Sequence, residues 1–158
     1  MAYFLADTRV GAQPLTDTDT VQNHQLGAIA RGKDPVYGYG EFIYLKGVAS
    51  TAVGDAVIYN NNAGTTTRVV AGSKGVLAWA MSANTASRFG WYQISGVVVA
   101  TVATAFAAAA DLYATATAGT LDDAVVSGDL IAGGVGVTAI GTPSATTALL
   151  QVARPSIT

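Results

Sequence analysis

Residues 40–81 read GEFIYLKGVASTAVGDAVIYNNNAGTTTRVVAGSKGVLAWAM. Within this stretch Phe42-Ile43-Tyr44-Leu45 stops at Lys46-Gly47, and Asp55-Ala56-Val57-Ile58-Tyr59 stops at Asn60-Asn61-Asn62-Ala63-Gly64. Thr65 to Val70 then runs into Ala71-Gly72-Ser73-Lys74-Gly75, and Val76 to Met81 follows. Short runs rich in β-branched and aromatic residues, each closed by Gly, Asn or Asp, are strands divided by tight turns. In the last run, alternation puts Leu77, Trp79 and Met81 on one face, which reads as core.

The same texture continues toward the C-terminus. Gly90 to Val102 is long enough for two strands bent at Gly96, and Leu112 to Thr115, Leu130 to Ile140 and Thr146 to Val152 are further candidates. Turn signals at this spacing predict an all-β sandwich or barrel. The one helix candidate is Ala103 to Ala110, about two turns long and too short to stand without tertiary packing. The expected fold class is therefore all-β: an antiparallel β-sandwich or barrel of short strands with an extended N-terminal arm and at most one short helix. A weak internal echo pairs Ala71-Gly72-x2-Gly75-Val76-x-Ala78 with Ala132-Gly133-x2-Gly136-Val137-x-Ala139. It reads either as a diverged duplication or as repeated turn chemistry.

Working outward toward the N-terminus, the pattern fades. Residues 1–38 show no sustained period of 2 or 3.6 and contain Thr16-Asp17-Thr18-Asp19-Thr20, which gains nothing from folding alone. A structureless stretch of this length is unusual inside a compact domain. The expected organisation is an extended arm over 1–38 and a β body over 39–158. Singly spaced apolar residues suit an arm that presses anchors into a neighbour's surface, with a floppy leader as the alternative. Nothing in Met1 to Arg9 reads as a secretory signal.

Composition narrows function. Only 11 % of the 158 residues are charged, 8 Lys and Arg against 10 Asp and Glu, while Ala, Thr, Gly and Val make up 85. Half of the 18 charges fall in the first 46 residues. A net charge of −2 leaves no electrostatic footprint for nucleic acid or an anionic membrane. With 51 % apolar residues the chain can bury enough surface to fold. Two stretches carry no charge, 22 residues between Arg88 and Asp111 and 24 between Asp129 and Arg154. Their Gly, Thr and Pro content argues for strands rather than membrane helices.

Chemistry-bearing residues are sparse. The single histidine, His24, lies in the arm, and the single glutamate, Glu41, opens a strand with no carboxylate partner at a telling spacing. Asp17 with Asp19, and Asp122-Asp123 with Asp129, lack the ligand rhythm of a calcium loop. Gly133-Gly134-Val135-Gly136 does not match a phosphate-binding glycine pattern. There is no cysteine, so neither a disulfide framework nor a thiolate site exists. The expectation is a non-enzyme with no cofactor and no metal. Trp79, Trp91 and Tyr92 are candidates for a sugar-stacking platform, which supports a carbohydrate- or surface-binding module of a phage tail or adhesin as the alternative reading.

The stretch Tyr37-Gly38-Tyr39-Gly40-Glu41-Phe42-Ile43-Tyr44-Leu45-Lys46-Gly47-Val48, then Val53-Gly54-Asp55-Ala56-Val57, resembles tailed-bacteriophage head decoration (capsid cement) proteins. So do Gly75-Val76-Leu77-Ala78-Trp79-Ala80 and Gly90-Trp91-Tyr92-Gln93-Ile94-Ser95-Gly96. The resemblance covers about residues 37–157. It implies a structural protein of the virion, a homotrimer on the outer capsid surface that clamps major capsid protein subunits and stabilises the head. Under that reading the arm residues expected to touch the capsid are Phe4, Leu5, Arg9, Leu15, His24, Leu26 and Arg31. The implied partners are the major capsid protein and copies of the chain itself, with no nucleic acid and no membrane.

Overall fold

The structure, a computed structural model, describes residues 4–5, 13–139 and 147–158. Among the described residues twelve strands form: β1 (Phe4–Leu5), β2 (Thr18–Asp19), β3 (Ile29–Asp34), β4 (Gly38–Lys46), β5 (Ala56–Tyr59), β6 (Thr66–Arg68), β7 (Gly75–Ala80), β8 (Phe89–Thr101), β9 (Asp111–Ala114), β10 (Leu121–Asp122), β11 (Leu130–Gly136) and β12 (Thr147–Ile157). The all-β class expected from the sequence is what the chain adopts, with no helix among the described residues. The strands join in one antiparallel sheet ordered β1-β3-β4-β8-β7-β12-β11-β9-β10, with β2 beside β8 and β5–β6 beside β7. The sheet does not close into a barrel and fits a sandwich instead.

β8 is the spine of this arrangement. Its first half pairs with β4 from Lys46↔Phe89 to Glu41↔Ser95, and its second half pairs with β12 from Ala153↔Ser95 to Thr147↔Thr101. The expected break at Gly96 is a bend within one strand. Gly96 takes φ +102°, and a Cβ there would lie 2.6 Å from the Tyr39 carbonyl oxygen. Only glycine lets the two backbones pass this closely.

Burial divides the core into three layers. The largest gathers Trp79, Leu77, Val98, Phe106, Leu112, Leu121, Ile131 and Leu150 among others. A second holds Ile43, Leu45, Val57, Ala78, Ala80, Tyr92 and Ile94. A third, nearest the N-terminal segment, holds Leu15, Ala30, Phe42, Tyr44, Met81 and Trp91. Alternation explains the division: β4 sends Phe42 and Tyr44 to one core and Ile43 and Leu45 to another. β7 does the same with Leu77 and Trp79 against Ala78 and Ala80. Met81, expected on the face of Leu77 and Trp79, lies one residue past β7 and belongs to the N-terminal core.

Two local expectations change. Ala103 to Ala110 is not a helix, because Ala105 and Ala109 take left-handed φ values of 66° and 56°. Phe106 between them is fully buried in the main core, and the backbone bonds of Ala109 and Ala110 go to Gly136. Tertiary packing overrides the helix propensity of alanine here. The glycine echo is not a structural repeat, since residues 71–74 form the turn before β7 whereas residues 132–136 lie inside β11.

Candidate interaction surface

The N-terminal segment is built onto the body by side chains the sequence scatters over 78 positions. The Gln13 amide donates to both carboxylate oxygens of Asp19 at 3.0 Å. Its oxygen accepts from the Trp91 indole at 3.2 Å and contacts His24 Nε2 at 2.7 Å. An amide oxygen only accepts, so His24 carries its proton on Nε2. The Tyr44 hydroxyl donates to Asp19 at 2.5 Å and accepts from the Asn23 N–H at 3.3 Å. His24 also lies edge-on to Tyr44, with ring centroids 5.0 Å apart, and 5.3 Å from Trp91. Desolvation, reinforced by the bond to Asp19, pushes the Tyr44 phenol up to about 12.

The seven residues expected to contact a capsid therefore fall into separate places. Leu15 is 2 % exposed within the N-terminal core, and Leu26 packs against that core. His24 is half-buried in the Gln13–Tyr44–Trp91 cluster. These three are engaged by the chain's own body. Phe4 and Leu5 form β1, paired with Lys33 and Gly32 of β3. Arg9 lies outside the described residues. Of the four whose side chains are described, Arg31 is the exposed one, at 74 %. The boundary expected at residue 38 runs through the β3–β4 hairpin, whose six pairs extend from Ile29↔Ile43 to Asp34↔Gly38.

The candidates for a sugar platform take a different position as well. Trp79, Trp91 and Tyr92 are all 0 % exposed. Trp79 is in the core, as its alternation with Leu77 predicts, and no sugar can stack on Trp91 or Tyr92 without opening the core. Burial raises the Tyr92 phenol to about 12.

What the surface does offer is one broad sheet face. Cross-strand partners share a face, so Val97, Val99 and Thr101 of β8 line up with Gln151, Leu149 and Thr147 of β12, and Val135 of β11 stands beside Gln151. The opposite face of the same strands, with Val98, Ala100, Leu150 and Val152, is buried in the main core. Val135 and Val137 are 38 % and 46 % exposed. A shallow groove of about 280 Å³ crosses this face between Gly133, Val135, Gln151 and Ala153. None of the residues named on it is charged, and Asp111 of β9, the register partner of Val135, stands at its margin. The two long uncharged stretches of the sequence are thus folded side by side, a signal that composition carried but did not localise.

At its β4 edge the face changes character. Arg31, Tyr39, Gly40, Glu41 and Ser95 line a groove of about 570 Å³. Arg154 donates from Nε and Nη2 to Glu41 Oε2 at 3.1 and 2.9 Å, and Arg31 Nε stands 3.6 Å from the other carboxylate oxygen. Lys33 adds a further cation 5.4 Å over the Tyr39 ring. Arg154 reaches this position through a left-handed φ of +47°, opposite the register break at Gly133 in β11. Tyr39, Lys33 and Arg154 were not singled out in the sequence. The exposed alternation of Ile29, Arg31 and Lys33 is the signal for half of the set, but Arg154 joins through a bulge no pattern announces. No family model, no curated protein and no solved structure matches the chain.

Proposed function

We propose that the protein is a structural component that works by assembly, a capsid decoration protein that binds the outer surface of a major capsid protein lattice as a homotrimer. The observation that carries this reading is the uncharged outer face of β8, β11 and β12. A contiguous apolar face of half-buried Val97, Val99 and Leu149 beside exposed Val135 and Val137, with Thr and Gln between them, is the kind of surface that partners cover. The resemblance of residues 37–157 to phage decoration proteins supplies the kind of partner. A clip that spans subunit boundaries must lose its contacts before the boundaries separate, and several weak contacts on one oligomer multiply through effective concentration.

The test is co-sedimentation with purified expanded phage heads assembled without a decoration protein. The wild-type chain should pellet with the heads. The double variant Val99→Lys, Leu149→Lys, which places two charges on the face, should stay in the supernatant while keeping its near-UV circular dichroism. Equal pelleting of both proteins, or of neither, would overturn the reading.

A further inference from the structure

The Arg31–Glu41–Arg154 groove holds more positive charge than its own residues neutralise. Two cations, Arg31 and Arg154, share the single carboxylate of Glu41, and a third, Lys33, stands over the neighbouring Tyr39 ring. The whole chain is nevertheless net −2, so acidic groups elsewhere outnumber basic ones. One acidic place is the corner after β10, where Asp122 and Asp123 are adjacent. Among the described residues neither forms an ion pair. Burial, and then the neighbouring Asp123, raise the Asp122 carboxyl above its ordinary range, so this pair gains from a cation brought close. The loop that follows exposes Val125 at 80 % and Val126 at 41 %, and the groove exposes Tyr39 at 68 %. Each patch therefore carries an apolar element beside its charge.

We propose that the groove receives the Asp122–Val126 corner of a second copy of this chain, with the carboxylates on Arg31 and Lys33 and the valines against Tyr39. The two patches lie at opposite ends of the strand order, β3–β4 and β9–β10. Neither patch is self-complementary, because a copy of the groove would set cation against cation. The contact is therefore head-to-tail, which generates a ring where the rotation closes. Charge-assisted hydrogen bonds from guanidinium to carboxylate fix its register. This inference rests on the self-association in the reading above, but not on capsid binding.

The experiment measures oligomer mass by light scattering across a dilution series for four proteins. They are the wild type, Arg31→Glu with Lys33→Glu, Asp122→Lys with Asp123→Lys, and the chain carrying all four changes. Because Asp123 accepts from the Ala107 N–H, a fifth protein, Asp122→Asn with Asp123→Asn, is added as a further one-sided variant that keeps an acceptor at each position. Near-UV circular dichroism confirms that each protein is folded. The wild type should be an oligomer, each one-sided variant should dissociate at roughly tenfold higher concentration, and the four-fold swap should regain most of the wild-type mass. A monomeric wild type, an oligomer indifferent to both one-sided variants, or a swap that fails to recover would each overturn the proposal. A monomer that still pelleted with phage heads would overturn this inference and the homotrimer of the reading above, and leave capsid binding in place.

Discussion

Tyr44 has no exposed surface, yet its hydroxyl donates to Asp19 at 2.5 Å, and Tyr92 is equally buried against Asn84 at 3.0 Å. Both phenols are raised from 10.0 to about 12 in the folded protein, by desolvation first. An unfolded chain would release these protons near pH 10. Between about pH 10 and 12 the unfolded state therefore binds fewer protons than the folded state, and stability falls as pH rises. Below pH 10 the contribution is fully present. Each phenol steepens the loss by up to about 1.4 kcal/mol per pH unit in that window. Urea midpoints measured from pH 8 to 12 should stay level and then drop, with a shallower drop in Tyr44→Phe. An identical slope in the variant would show that Tyr44 is not the group responsible. Legibility at this scale was uneven. Tyr44 could be read as part of a strand, but its partner Asp19 lies 25 positions away in a segment with no pattern at all.

The element that organises the sheet is β8, which touches β2, β4, β7 and β12. Its bend was readable, since a lone glycine inside a long apolar run marks a kink or a close backbone approach. The neighbour that demands it was not, because Tyr39 comes from the β4 edge 57 positions earlier. Gly96→Ala sets a methyl 2.6 Å from the Tyr39 carbonyl at φ +102°, a conformation costing an L-residue about 1–3 kcal/mol before the clash is counted. The expected result is a thermal midpoint lowered by roughly 5–10 °C. An unchanged midpoint in calorimetry would mean that β8 is not held against β4 at this point. The alanine run 103–110 teaches the converse lesson. Propensity favours a helix there, but Phe106 is drawn into the main core and forces turns around it.

For the whole molecule, the N-terminal segment decides how much of the chain is a folding unit. Composition separates residues 1–38 from the rest, yet Leu15 is buried with Trp91, and Gln13 and His24 close over the same indole. Deleting residues 2–28 therefore removes a buried leucine, whose loss alone costs about 2–5 kcal/mol, and uncovers Trp91. The shortened protein should melt roughly 10 °C lower, with tryptophan emission shifted to the red. A truncated protein with unaltered emission and melting would show that the segment is dispensable to the fold. The sequence by itself determined the all-β class, most strand positions from residue 40 onward and the scarcity of charge, because β periodicity, turn chemistry and composition are local properties of the chain. Only the tertiary structure decided which aromatic residues are inside, that the two uncharged stretches share one face, and that Arg31, Glu41 and Arg154 meet. Those facts depend on contacts between residues up to 113 positions apart, and a side chain's partner across a sheet is set by register and bulges rather than by its neighbours in sequence.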